Sequence, residues 1–284
     1  MRRAALTIAL AVLLAPIAGF TAARWFATYG PGRPAATASG EASATGPAQQ
    51  PVAAVSPEPE PIYVGDTWNL AAEDVDATVG IPTNRALIAL GRHYIGTPYN
   101  AFSLDRGERE RLRLDLTRFD CFLFVEQLLA LVNSREVKTR TEAVRNFTDH
   151  VARLRYEDGK VDYCHRHHYF SRWAEAAERR GYLVNITPFL PGAESRRRPL
   201  TFMSSHAEVY EPMQQPANRA CILEREKSLV VEQSYIPLQK LPEALDSLRE
   251  GDIFGLVTRV PCLLYTSPSP RDSYADLVCR LLLE

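Results

Sequence analysis

The sequence predicts an α+β fold, with a helical first half followed by a sheet-forming second half. Three observations predict it. Phe122, Val125, Leu128, Leu129 and Val132 recur at helical spacing after Cys121. Two more helix-like stretches follow before Gly181. From Tyr182 onward, β-branched and aromatic residues gather in short runs.

The chain opens on Met1-Arg2-Arg3 and an apolar run to Phe20, broken only by Thr7, Pro16 and Gly19. A short basic head before such a run is expected to be a secretion leader, with Thr21-Ala22-Ala23 as a small-residue cleavage site. The alternative is an uncleaved membrane anchor, because the run is near spanning length. Either way, residues 1–26 direct the remainder to the periplasm or cell envelope. Residues 27–62 carry seven prolines among Ala, Ser, Thr, Gly and Glu. Too few large apolar side chains remain to offset the entropy of ordering, so this segment is expected to be a disordered linker.

The folded domain is expected over residues 63–260. A helix starting near Pro82 ends at Ala86–Tyr94, where Gly96-Thr97-Pro98 forces a turn. Asp105–Arg113 is charge-rich and is expected to be an exposed loop. Asp120 can cap the helix that follows, which leaves Cys121 in its first turn. Helices are expected over Thr141–Leu154 and Tyr169–Arg180, the latter ended by Gly181. Strands are expected in Tyr182–Leu190, Arg219–Glu224, Ser228–Leu238 and Asp252–Thr258, with a short helix over Leu241–Leu248. After Val260, PCLLYTSPSPRDSYADLVCRLLLE fits no continuing sheet. It resembles translated sequencing-adapter DNA, so residues 261–284 are expected to be a non-native tail on an incomplete domain.

Composition excludes some functions. Basic and acidic residues nearly balance, giving a net charge of -1, so there is no nucleic-acid footprint. Five cysteines are too sparse for a disulfide-dense scaffold, and none are paired at zinc-finger spacing. A Cys164–Cys221 bridge is open to an oxidising compartment, but spacing does not decide it. The run Cys164-His165-Arg166-His167-His168 lacks a spaced acidic partner. No metal and no cofactor are expected.

The strongest chemical candidate is Cys121. Amide protons at a helix start stabilise an anion, and the thiolate is the nucleophilic form of cysteine. A structural cysteine facing the core is the plainer reading of the same residues. His206, in FMSSHAEVY, is the in-chain candidate for its base. His150, on a polar helix, reads as a surface residue.

Several segments, in order and spacing, carry a family resemblance. They are Gly96-Thr97-Pro98-Tyr99, then Phe119-Asp120-Cys121-Phe122-Leu123-Phe124-Val125-Glu126, then Arg166 and His168-Tyr169-Phe170-Ser171 with Trp173. Phe202-Met203-Ser204 with Tyr210 and Gly251-Asp252-Ile253 complete the set. Across about residues 82 to 259 the chain resembles the N-acetylmuramoyl-L-alanine amidase-like (DUF1460-type) family of the NlpC/P60, papain-like cysteine hydrolases.

The resemblance implies a papain-like fold, with the nucleophile at a helix N-terminus packed on an antiparallel sheet. It implies that Cys121 attacks the amide between N-acetylmuramic acid and L-alanine in peptidoglycan or its fragments, through an acyl-enzyme. Tyr99, Arg166, His168 and Tyr169 are then expected to contact substrate, with Glu126 in a structural role. A monomer is expected. Leu123 stands where the family has threonine, a tolerable change of packing. The family's catalytic histidine follows the Gly-Asp-Ile segment, where this chain has none, so the chain as written is expected to be feeble. The alternatives are a D-glutamyl-diamino acid endopeptidase of the same superfamily and a non-catalytic envelope-binding domain.

Overall fold

Local signals set the helices. In the computed structural model, residues 17–24 and 60–258 except 106 and 108 are described. Helices α1 (Thr67–Thr78) and α2 (Thr83–His93) precede α3 (Cys121–Asn133) and α4 (Arg140–Arg155). Asp120 caps α3 by accepting a hydrogen bond from Leu123 N at 2.7 Å. Thr139 and Glu142 form a reciprocal capping box at the start of α4. Helix α5 (Phe170–Arg179) completes the helical half and ends before Gly181, whose φ of +76° suits glycine.

These helices enclose the main core. Leu129, Leu131, Phe147, Leu154 and Trp173 are all buried in one cluster that also holds Val75 and Leu90. Each fully buried leucine contributes roughly 1.5–3 kcal/mol of transfer free energy. The core thus sits directly behind α3 and fixes the helix that carries Cys121.

The sheets are small. Strands β2 (Ile62–Tyr63) and β3 (Arg113–Leu114) pair in parallel. Strands β5 (Glu194–Pro199) and β6 (Val230–Tyr235) form an antiparallel pair. A three-stranded antiparallel sheet has the order β4 (Val184–Asn185), β1 (Ile17–Arg24), β7 (Ile253–Thr258). The residues of β1 belong to the stretch expected to be a leader or anchor, and here they form the middle strand. No helix among the described residues is long and apolar enough to cross a membrane. The expected linker falls mostly, and the expected non-native tail wholly, outside the described residues.

The α+β class holds, in a helix-rich form with small sheets. Two expected strands differ. Arg219–Glu224 lies inside a helix, α7 (Pro216–Lys227). Pro216 occupies its first position, where a missing N–H costs nothing, and Ala217, Ala220, Leu223, Glu224 and Arg225 are good helix formers. Their local preference outweighs the short apolar run Cys221-Ile222-Leu223. In Tyr182–Leu190 only Val184–Asn185 is extended, because Pro188 sits in a 3-10 turn over Thr187–Phe189. A short helix, α6 (Phe202–Ser205), follows β5, and α8 (Leu241–Ala244) precedes β7.

Candidate active site

The segment entering α3 is held from three sides before it reaches Cys121. Gln127, on α3 itself, accepts from Asp115 N at 3.1 Å and donates to Asp115 O at 3.0 Å. Leu116 N donates to Thr67 Oγ1 at 2.9 Å. Phe119 N donates to Pro98 O at 3.2 Å, and Asn100 N donates to Phe119 O at 2.8 Å. The last two bonds lay the Pro98–Asn100 backbone parallel to the strand-like entry, opposite Phe119. Tyr99 is therefore placed beside the residues that lead directly into Cys121.

Cys121 opens α3 as a half-buried, unbridged thiol. The carboxyl of its neighbour Asp120 is pushed up to about 6, chiefly by burial. The negative charge of Glu126 adds to that rise, while helix-start amides and Arg155 oppose it. The start of α3 combines oriented amide protons with a cap that changes charge near neutral pH.

Aromatic contacts tie this helix start to that of α5. Phe122 meets Trp173 edge-on, with ring centroids 5.1 Å apart, and Phe170 stacks on the same indole at 5.9 Å. Trp173 is buried and belongs to the main core.

The remaining expected site residues have defined partners. Arg166 is buried, donates to Leu104 O at 3.1 Å, and pairs with Asp105 and, at 3.5 Å, Glu110. Its guanidinium also lies over the Tyr163 ring, 4.9 Å from the centroid. His168 shares that tyrosine, with Nε2 2.7 Å from Tyr163 O and ring centroids 4.5 Å apart. A carbonyl can only accept, so Nε2 carries the proton. Burial first, and then the charge of Arg166, hold His168 well below the usual imidazole range. This leaves a neutral ring with Nδ1 as an acceptor.

Tyr169 and His206 meet at α6. The Tyr169 hydroxyl donates to Glu226 and accepts from Met203 N at 3.0 Å, while Ser204 N donates to the other Glu226 oxygen at 3.1 Å. His206 stands just after α6, its Nδ1 donating to Phe202 O at 2.9 Å and its ring stacked on Phe202 at 4.2 Å. Arg166 and His168 thus converge on Tyr163, and Tyr169 and His206 on α6. Sequence reasoning misses Tyr163, Glu110 and Glu226. The partners of Glu110 and Glu226 lie far along the chain. Those of Tyr163, though near in sequence, meet its ring and its backbone carbonyl, which no residue spacing marks.

Cys164 and Cys221 form a disulfide, with Cα atoms 6.0 Å apart, which ties the 163–169 segment to α7. His150, expected at the surface, is instead half-buried with Nδ1 2.6 Å from the Tyr182 hydroxyl. The amphipathic turn of α4 rotates it toward Tyr182.

The N-acetylmuramoyl-L-alanine amidase-like family model matches residues 89–265, a span holding Tyr99, Cys121, Arg166, His168, Tyr169 and His206. The chain belongs to that family. Among solved structures it is similar to a N-acetylmuramoyl-L-alanine amidase from Bacteroides uniformis ATCC 8492. One crystal structure of that protein aligns at 29% identity over 60% of this chain and 71% of that one, with a TM-score of 0.54. A second aligns at 30% identity over the same shares, 60% and 71%, with a TM-score of 0.53. A DUF1460 protein from Legionella pneumophila aligns more loosely, at 18% identity over 65% of this chain and 69% of that one, with a TM-score of 0.49. No curated protein matches the chain at a significant level. Within the amidase-like family match, Cys121 is the only unbridged cysteine among the described residues.

Proposed function

We propose that this chain is a cysteine amidase of the cell envelope. Its substrate is the amide joining the lactyl group of N-acetylmuramic acid to L-alanine, in polymeric peptidoglycan or soluble fragments. The observation that carries the reading is Cys121 as the first residue of a capped, core-anchored helix inside the amidase-like match.

The chemistry follows from that position. Helix-start amides favour the thiolate, which attacks the lactyl carbonyl carbon. The tetrahedral oxyanion accepts hydrogen bonds from amides at the start of α3, among them that of Cys121. Collapse expels the L-alanine amine, which needs a proton, and leaves a thioester on Cys121. Water then attacks the thioester and releases the muramoyl carboxylate with the thiol.

An imidazole must take the thiol proton and return it to the amine. By resemblance, the family's histidine follows Gly251-Asp252-Ile253, and residues 254–284 contain no histidine. His206 is the alternative within this chain. General acid-base help is worth about 100- to 10,000-fold, so without it the sequence as it stands turns over feebly. Tyr99 lines the approach to Cys121, and the Arg166–Tyr169 segment forms the facing wall. A leader or anchor over all of residues 1–26 would remove β1, the middle strand of its sheet, so the envelope reading rests on the family match. The protein works as a monomer without metal or cofactor.

Digestion of purified peptidoglycan with the full chain, read by mass spectrometry, tests this. Intact stem peptides with a free L-alanine amine are expected, and Cys121→Ala should abolish them. Cleavage between D-glutamate and the diamino acid would transfer the chain to the endopeptidase class. Cell-envelope function that survives Cys121→Ala would point to a binding protein.

A further inference from the structure

The only fully buried ion pair among the described residues lies behind the thiol-bearing helix. Glu126 on α3 and Arg155 at the end of α4 are 0% and 1% exposed. Arg155 Nε donates to Glu126 Oε2 at 3.0 Å and Nη2 to the same oxygen at 2.5 Å. Arg155 Nη1 donates to Arg113 O on β3 at 2.6 Å. The Arg155 carbonyl in turn accepts from His167 N at 2.8 Å, and the next residue, Tyr156, bridges to Arg166. One arginine therefore joins the Cys121 helix, the strand before it, and the segment that carries Arg166, His168 and Tyr169.

Stability alone does not explain the pair. Taking two charges out of water costs several kcal/mol per ion, and apolar residues of similar volume are often neutral or better. The cost is not fully met here, since Glu126 Oε1 finds no partner among the described residues. What the pair does hold is the relative position of α3, β3 and the segment that carries Arg166, His168 and Tyr169.

We infer that Glu126 and Arg155 are positioning residues for Cys121, fixing the start of α3 against the Arg166–Tyr169 segment and setting the charge that the thiol meets. The inference rests on the reading of Cys121 as the nucleophile. Asp120, the cap beside the thiol, responds to both charges: after burial, Glu126 raises its proton affinity and Arg155 lowers it. The other charged or titratable groups facing the pair are Arg166 toward Glu126, and Tyr156 and Glu110 toward Arg155.

The test is peptide-resolved alkylation of Cys121 with iodoacetamide across a pH series, on the full chain and on Glu126→Gln and Arg155→Met. Removing the carboxylate leaves a net positive field behind α3, so the pH midpoint should fall. Removing the guanidinium should raise it. Each variant should change the rate at neutral pH by about threefold or more, in opposite directions. Folded variants with wild-type profiles, or with midpoints moved in the same direction, overturn the inference.

If either single variant fails to fold, Glu126→Leu with Arg155→Met removes both charges together. Amide exchange at Leu123, the amide capped by Asp120, should then quicken about tenfold or more while the global unfolding midpoint stays near wild type. Unchanged exchange overturns the inference. If wild-type Cys121 resists alkylation at every pH, the nucleophile reading fails, and the exchange at Leu123 alone decides whether the pair positions the helix.

Discussion

Gln127 binds both backbone groups of Asp115, with its amide oxygen 3.1 Å from Asp115 N and its amide nitrogen 3.0 Å from Asp115 O. The side chain acts as a substitute strand. It ties α3 directly to the segment that delivers Cys121. Gln127 and Asp115 are both buried, so the backbone pair has no ready access to water. Gln127→Leu keeps the volume but orphans a buried N–H and a buried C=O, at about 1–3 kcal/mol each. Urea unfolding should show a loss of about 2–5 kcal/mol with an unchanged slope. A loss below about 1 kcal/mol would mean that the entry segment is held by Thr67 and Pro98 alone.

The cap makes a pH prediction. Burial pushes the Asp120 carboxyl up to about 6 from an ordinary 3.8, so the native state binds its proton more tightly than the unfolded chain does. Its contribution to stability is therefore fully present below about pH 4. It is lost as pH rises through about 6. A tenfold difference in proton affinity corresponds to about 1.4 kcal/mol, so the swing is on the order of 2 kcal/mol after allowance for the partial exposure of Asp120. Asp120→Asn keeps a capping oxygen and removes the titration. Chemical denaturation at about pH 4.5 and pH 7, compared between wild type and Asp120→Asn, should show a smaller pH dependence in the variant. Parallel curves would remove Asp120 from the account.

These residues show what the sequence alone makes legible. Helix α3 is readable because its signals are local: an acidic cap, then apolar residues at a constant spacing. Helix α7 is not, because six residues with an apolar centre resemble a strand unless Pro216 and the flanking helix formers are weighed with them. Cys121 stands out because its chemistry depends on one adjoining helix. Arg155 does not, and Glu126 shows only as a structural residue without its partner, since a buried charge is intelligible only from a partner 29 positions away. Arg166 reads as a substrate contact only through the family resemblance. Its burial against Asp105 and Glu110 depends on a loop 61 residues earlier, a relationship no local pattern encodes.

The disulfide closes a long loop. Cys164 and Cys221 are 57 residues apart in sequence, and by chain entropy a crosslink of that span is worth about 4 kcal/mol as an upper figure. The benefit should fall on the small cluster of Tyr163, Met203, Met213 and Ile222, which the bridge adjoins. Cys221→Ser, or a dithiol reductant applied to wild type, should lower the melting temperature. Exchange protection should fall first in α7 and the Tyr163 segment, while α3 and α4 keep theirs. Equal loss across the whole chain would mean that this cluster and the main core unfold as one unit.

Tyr169 offers a choice between two roles with different signatures. As a substrate contact, its hydroxyl would matter to binding and little to stability. In the fold it donates to Glu226 and accepts from Met203 N at 3.0 Å, joining α5, α6 and α7 at one oxygen. Glu226 is buried, so Tyr169→Phe leaves one carboxylate oxygen without its donor and one helix-start amide without its acceptor. The expected cost is about 1–3 kcal/mol, read as a lower denaturation midpoint. His206, at the far end of the same short helix, should become more mobile, visible as narrowed and shifted imidazole resonances. A Tyr169→Phe protein of wild-type stability that binds muropeptide more weakly would reverse the assignment, making the hydroxyl a recognition group whose bond to Glu226 is given up when substrate arrives.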